Sequence, residues 1–237
     1  MLKRFLIFLL VVAGLAVLAD RALATIAGNT TASEIKKHES LREDPSVTFR
    51  GFPFVTQAVR GRFAAVDVTV RDLEREGVVI SRIDAHLENV RVHLNEAVSG
   101  RVRAVPVGAG TATARVRYSD LGAFLATKPG NIRIESVSGR VRVTSTFGVP
   151  GLGQVVVEGT PQVKVVGNAV RVTVTDVRVA GATRLTAAQA AAAGVRSSFT
   201  VPLAKLPFGI KVVAARLTAD ALVLDASAEG FVIDVTG

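Results

Sequence analysis

The side chains able to perform catalysis or bind a metal are few. His86 and His93 fall on the polar side of one alternating segment, with Asp84 and Glu88 nearby, and imidazoles beside carboxylates are the raw material of a divalent-metal site. Carboxylate pairs such as Glu74 and Glu76, which flank a strand end before Gly77, could serve acid–base chemistry. Both groups read more simply as solvated strand faces and turns. There is no H-E-x-x-H, no G-x-S-x-G and no phosphate loop, and Val107-Gly108-Ala109-Gly110 reads as a turn between strands. The absence of cysteine excludes a disulfide framework, a thiolate metal site, a cysteine nucleophile and a lipobox-type acylated N-terminus. The sequence therefore assigns no catalytic residue, no metal and no cofactor, and the expectation is a protein that is not an enzyme.

Charge is the next chemical resource. The 237 residues carry 29 Lys+Arg against 20 Asp+Glu, a net charge of +9. Arg71, Arg82, Arg91, Arg101, Arg103, Arg115, Arg117, Arg140, Arg142, Arg171 and Arg178 recur on the polar positions of alternating segments. Nucleic-acid binding would call for aromatics interleaved with these cations, and aromatics are only 5% of the chain, so no nucleic-acid partner is expected. An anionic lipid surface is a fitting partner, since each Lys or Arg near one contributes about 1 kcal/mol. Ordinary solubilising charge explains any single arginine equally well.

The elements that must position these groups begin with a targeting segment. Lys3 and Arg4 precede an unbroken apolar run from Phe5 to Ala19, and Ala22-Leu23-Ala24 offers an A-x-A cleavage site before Thr25. Residues 1–24 are a cleaved signal peptide or a retained membrane anchor, and either delivers residues 25–237 to the far side of the membrane. Removing them takes away three cations and one carboxylate and leaves the remainder at +7. Residues 20–40 read as one amphipathic helix continuing from that segment, with Leu23, Ile26, Ala27, Thr30 and Ile35 at helical spacing and Pro45 closing the region.

From Ser46 onward the period is two. Val66, Val68 and Val70, then Ile83, Ala85 and Leu87, then Val90, Val92 and Leu94, alternate with polar residues, and the step of three from Leu87 to Val90 predicts a bulge near Asn89. Val141 and Val143, Val170, Val172 and Val174, and Phe231, Ile233 and Val235 continue the pattern. These are long antiparallel strands with one apolar and one solvated face. Two short helices interrupt them: Ser119–Thr127, with Ser119 as N-cap and a stop at Pro129-Gly130, and Thr186–Ala193, with a Thr186/Gln189 capping box and Gly194 at the C-cap position. Without a linker, residues 25–237 read as a single α+β domain. Its broad apolar sheet face is covered by the 20–40 helix, by curling on itself, or by a ligand. A lining of Val, Leu, Ile and Ala suits acyl chains better than a flat, hydrogen-bonding cofactor.

Four segments carry a family likeness. They are Arg50-Gly51-Phe52-Pro53-Phe54-Val55-Thr56-Gln57 with Gly61-Arg62; Ile83-Asp84-Ala85-His86-Leu87 with Val90-Arg91; Val149-Pro150-Gly151-Leu152-Gly153; and Ser198-Phe199-Thr200-Val201-Pro202-Leu203 with Leu206-Pro207-Phe208-Gly209. In this order, after an N-terminal apolar segment, they resemble the LmeA-like phospholipid-binding family of actinobacterial cell envelopes, over residues 20–235. The resemblance implies a tubular lipid-binding-like fold, a long curved antiparallel sheet wrapped around an N-terminal amphipathic helix. It implies binding of phospholipid, phosphatidylinositol or another anionic lipid included, and in mycobacterial members a role in lipomannan and lipoarabinomannan elongation. It supplies no catalytic residues.

The expected mechanism is a dry aliphatic groove that holds acyl chains, with the headgroup at its mouth. Phe52, Phe54, Phe199, Leu203 and Phe208 are the expected lipid contacts, and Arg60 and Arg62 the expected headgroup contacts. Turn packing beside Pro53 and Pro207 is the competing role for the phenylalanines. The expected location is the cell envelope, on the periplasmic side of the cytoplasmic membrane, anchored or soluble. The rival function is a membrane-anchored scaffold for envelope glycosyltransferases that moves no lipid.

Overall fold

The computed structural model describes residues 2–39, 41, 43–75, 78–99, 101–126, 130–149, 153–167, 169–180, 185–202 and 209–234. The N-terminal half holds α1 (Leu2–Glu39), β1 (Ser46–Arg50), α2 (Phe54–Arg60), β2 (Arg62–Arg75), β3 (Val78–Arg91), α3 (Leu94–Val98), β4 (Ala104–Arg117) and α4 (Gly122–Ala126). The remainder holds β5 (Arg133–Val137), β6 (Arg140–Val149), β7 (Gly153–Val166), β8 (Ala169–Val179), α5 (Ala187–Ser197), β9 (Phe199–Pro202), β10 (Lys211–Leu217) and β11 (Ala221–Asp234). The class is α+β, as the alternation and the helical N-terminus require. The strands form two antiparallel sheets, in the orders β1-β2-β3-β4-β11-β10 and β5-β6-β7-β8-β9. The chain groups into two compact units, residues 1–71, 84–112 and 228–237 in one and residues 72–83 and 113–227 in the other.

In the first unit, α1 runs unbroken through Gly28 and Asn29 and packs on β1. Its buried positions are Asp20, Ala24, Gly28 and Ala32, one residue in four and all small but the first. The reason is close approach: a Cβ on Gly28 would lie 2.4 Å from the Val47 carbonyl oxygen. This corrects the expected apolar face, because Leu23 and Ile26 point away from the strand and are exposed. Thr25, Thr30 and Thr31 of α1 donate their hydroxyls one turn back, to the carbonyls of Arg21, Ile26 and Ala27. Strand β1 pairs with β2 from Ser46 opposite Thr69 to Arg50 opposite Ala65, which puts Val47 and Phe49 on the same face as Val68 and Val66.

The second unit has its own core, built from Leu121, Leu125, Val143, Val172, Val174 and Leu222 with Tyr118 and Phe199. Val170, Val172 and Val174 are among its most deeply buried residues, so the two-residue period read the inner face of β8 correctly. The Tyr118 hydroxyl donates to the Thr218 carbonyl at 2.6 Å, and burial pushes its pKa up to about 12. Ser145 and Ser197, both buried, satisfy each other at 2.6 Å.

Several boundaries differ from the sequence expectation. Leu94 does not extend β3; the strand ends at Arg91 and Leu94 opens α3. Asn89 takes a φ of 53°, the left-handed backbone that breaks an alternating face where the step of three falls. Helix α4 starts at Gly122, and Ser119 belongs to the turn before it; Thr127 and Pro129 lie outside the described residues. The Thr186/Gln189 capping box of α5 is present, but the helix passes through Gly194 and ends at Ser197. Gly194 is there for proximity, since a Cβ would lie 2.8 Å from the Val174 carbonyl oxygen.

Candidate functional site

In the first unit the Gly51-Phe52-Pro53-Phe54 segment is held by α1. Helix α2 has Pro53 at its N-cap, which offers no side-chain acceptor. The buried Asp20 carboxylate supplies one from α1, accepting the Val55 N–H at 2.9 Å. Arg21 pairs with Asp20 at 2.6 Å, donates to the Gly51 carbonyl at 2.8 Å, and sets its guanidinium 5.5 Å from the Phe52 ring centroid. Gln57 completes the fastening: its amide donates to the Arg50 carbonyl at 3.1 Å and accepts the Ala64 N–H at 2.7 Å.

This arrangement separates two neighbouring phenylalanines. Phe54 is buried, with its ring centroid 5.5 Å from Phe49 and 5.9 Å from Phe63. Phe52 is 60% exposed over the arginine. Arg60 and Arg62 are exposed on either side of Gly61, whose φ of 63° closes α2, and neither has an ion-pair partner among the described residues. Phe52, Phe54, Arg60 and Arg62 are therefore gathered around one short helix. Phe199 lies in the core of the second unit, and Leu203 and Phe208 lie outside the described residues.

The sheet in the first unit has two chemically opposite faces. On the polar one, Arg50 and His86 both bond to Asp67, His86 stands 3.6 Å from Glu88, and Thr69 donates to Asp84 at 2.7 Å. Burial would raise the Asp67 pKa, but the hydrogen bonds from His86 and Arg50 prevail and hold it below the usual carboxylate range. His86 is thus committed to a cross-strand pair, and His93 sits at the N-cap position of α3, exposed and without a side-chain capping hydrogen bond. Among the described residues no three His, Asp or Glu converge to hold a metal ion. On the apolar face Val66 is buried, whereas Val68 and Val70 of β2 and Ala85 and Leu87 of β3 are only half covered. Complete burial of a larger aliphatic side chain is worth about 1.5–3 kcal/mol, and these partly covered ones have only a fraction of that left to gain from further apolar contact.

The second unit holds a cleft of about 380 Å³ between α5 and β8. Val174, Val177, Ala190, Ala191 and Val195 give it aliphatic walls, and Thr173, Thr175 and Asp176 add polar groups. Ser198 braces it, accepting the Val174 N–H at 3.0 Å and donating to the Gly194 carbonyl at 2.6 Å. Its size falls in the range of small-ligand sites.

Sequence reasoning missed Asp20, Arg21 and Gln57. The signal was the pair of opposite charges, Asp20 and Arg21, that ends the apolar run from Phe5 to Ala19. Their partners lie 30 and 35 residues further on and share no local pattern with them.

A stretch of α1, Leu9–Lys37, is long and apolar enough to cross a membrane, a property that signal sequences share. Comparisons with curated proteins and with solved structures find no match. The family model described as LmeA-like phospholipid-binding matches residues 18–227, which takes in α1 from Leu18, the fastened Gly-Phe-Pro-Phe segment and the strands as far as the first half of β11. On that match the chain belongs to the LmeA-like phospholipid-binding family.

Proposed function

We propose that the protein is a non-catalytic phospholipid carrier of the cell envelope that rests acyl chains on aliphatic β-surface and leaves the headgroup to arginines. Membership of a phospholipid-binding family supports the class of ligand. The observation that carries the mode of binding is the half-covered row Val68, Val70, Ala85 and Leu87, on the face opposite the ion pairs. About ten enclosed methylenes gain about 8 kcal/mol, the size of a micromolar association, before the entropic cost of binding is met. Arg60 and Arg62 are the headgroup contacts in this reading, with Phe52 beside them. Export by the N-terminal segment puts the protein where envelope lipids are moved and lipoglycans are extended, and supplying lipid to lipoglycan elongation is the physiological role we assign.

A fluorescent phosphatidylinositol presented in phosphatidylcholine vesicles tests the mode of binding. Uptake by the full chain, reduced at least tenfold in Leu87→Arg with an unchanged melting temperature, is expected. Equal uptake by the variant would remove the aliphatic row from the site.

A further inference from the structure

The two shortest helices of the first unit expose apolar side chains in pairs. On α2, Val55 and Val59 are four residues apart and both exposed, Val59 by 69%. On α3, Leu94 and Val98 are four residues apart and both exposed, Val98 by 80%. A spacing of four places each pair on one helix face. Phe52 stands just before the first pair.

These helices are neighbours. The Val92 N–H donates to the Gly61 carbonyl at 3.0 Å, and a Cβ on Gly61 would lie 3.3 Å from Cα of His93, so the end of α2 abuts the start of α3. The start of α2 is tied to Asp20 of α1. Among the described side chains of α1, those from Leu9 to Ala19 are all exposed and Asp20 is the first that is buried. The tier of α2 and α3 therefore lies at the level where the apolar part of α1 leaves the protein body. From Leu2 to Ala19 that part spans about 27 Å at 1.5 Å per residue, close to the hydrocarbon thickness of a bilayer.

Charge selects the occupant of this face. Arg60, Arg62, Arg91, Arg101 and Arg103 are exposed around the two helices, and none has an ion-pair partner among the described residues. On the strands Arg50, Arg115, Arg117, Arg142 and Arg216 each face a carboxylate, while Arg71, Arg133, Arg140, Arg171 and Arg178 are exposed without an ion-pair partner among the described residues, so what sets the α2 and α3 arginines apart is their place beside exposed apolar side chains. Of the acidic groups near the tier, Asp20 is already paired with Arg21, and Glu96 lies on α3.

We infer that the face formed by Phe52, Val55 and Val59 of α2 and Leu94 and Val98 of α3 docks in the interfacial layer of an anionic phospholipid bilayer. Exposed apolar residues rimmed by uncompensated arginines and continuous with a membrane-length helix are the signature of an interfacial segment. The inference rests on the envelope location proposed above and not on the acyl-chain row, so a failure of docking and a failure of lipid uptake are read separately.

The chain has no cysteine, so Val59→Cys, Val98→Cys and Thr48→Cys can each carry one spin label on the full chain in vesicles of phosphatidylcholine with or without phosphatidylglycerol. Power saturation against oxygen and a water-soluble nickel chelate reads depth. With phosphatidylglycerol, labels at 59 and 98 should shift to lipid-immersed values while the label at 48, on exposed β1, stays aqueous. Replacing Arg60 and Arg62 together by glutamine should reduce that shift. Labels at 59 and 98 as aqueous as the one at 48 would overturn the inference, and would leave this face to solvent or to a protein partner. Equal immersion without phosphatidylglycerol would overturn the role of charge.

Discussion

The first N–H groups of a helix have no partner inside it, and at α2 the N-cap proline offers none. Asp20 meets that need from 35 residues away, while Arg21 holds the Gly51 carbonyl and covers the Phe52 ring. Asp20→Ala should therefore destabilise the first unit by about 1–2 kcal/mol, the cost of a lost cap. Asp20→Asn, which keeps an acceptor oxygen, should recover most of it; chemical denaturation of the three proteins compares them directly. The carboxylates on the strands predict a pH response. Asp225 is held below the usual carboxylate range by hydrogen bonds from Arg216 and Thr113, and Asp220 by its hydrogen bond from Arg115. A depressed folded pKa stabilises above the unfolded value and loses that contribution as pH falls through the folded one. Melting temperature should therefore be flat from neutral pH down to about pH 4 and fall below it. Asp225→Asn should flatten the acid limb, as thermal melts across the range would show.

At the scale of elements, glycines mark where a helix must lie close to a strand. Alanine at Gly28 would gain about 1 kcal/mol of helix propensity, but its Cβ would meet the Val47 carbonyl oxygen at 2.4 Å. Gly28→Ala should be destabilising by about 1–3 kcal/mol through overpacking, against the gain expected at an open helical site; thermal melts of Gly28→Ala and Gly14→Ala, the latter with open space, separate the two effects. The same glycine shows why legibility was uneven. Periodicity identifies elements that one buried face defines, which is why β8, with Val170, Val172 and Val174, and the capped start of α5 were readable. It fails where contact is made by small residues, as in the Ala24-Gly28-Ala32 seam of α1, whose more apolar neighbours Leu23 and Ile26 suggested the wrong face. It fails also for helices of five to seven residues: α2 takes its cap from elsewhere in the chain, and α3 begins at a leucine that continued an alternating run. Around the candidate site, the Gly-Phe-Pro-Phe segment stood out in the sequence, but its fastening by Asp20, Arg21 and Gln57 is a tertiary fact.

At the scale of the molecule, the chain belongs to a phospholipid-binding family and joins an apolar N-terminal helix to two compact units. Arg50, Arg115, Arg117, Arg142 and Arg216 face carboxylates, whereas the arginines around α2 and α3, like several on exposed strand faces, have no ion-pair partner among the described residues. In the first unit the strand faces divide into one carrying ion pairs and one with aliphatic side chains partly covered. Uptake of hydrocarbon on that second face is the centre of the proposed function. Native mass spectrometry of the full chain, released from membranes in mild detergent, tests it most directly. A species heavier than the chain by one phospholipid is expected, with the added mass recovered in an organic extract and restored by incubating stripped protein with phosphatidylinositol vesicles. A chain that flies bare, yields no phospholipid on extraction and takes up none from the vesicles would contradict it.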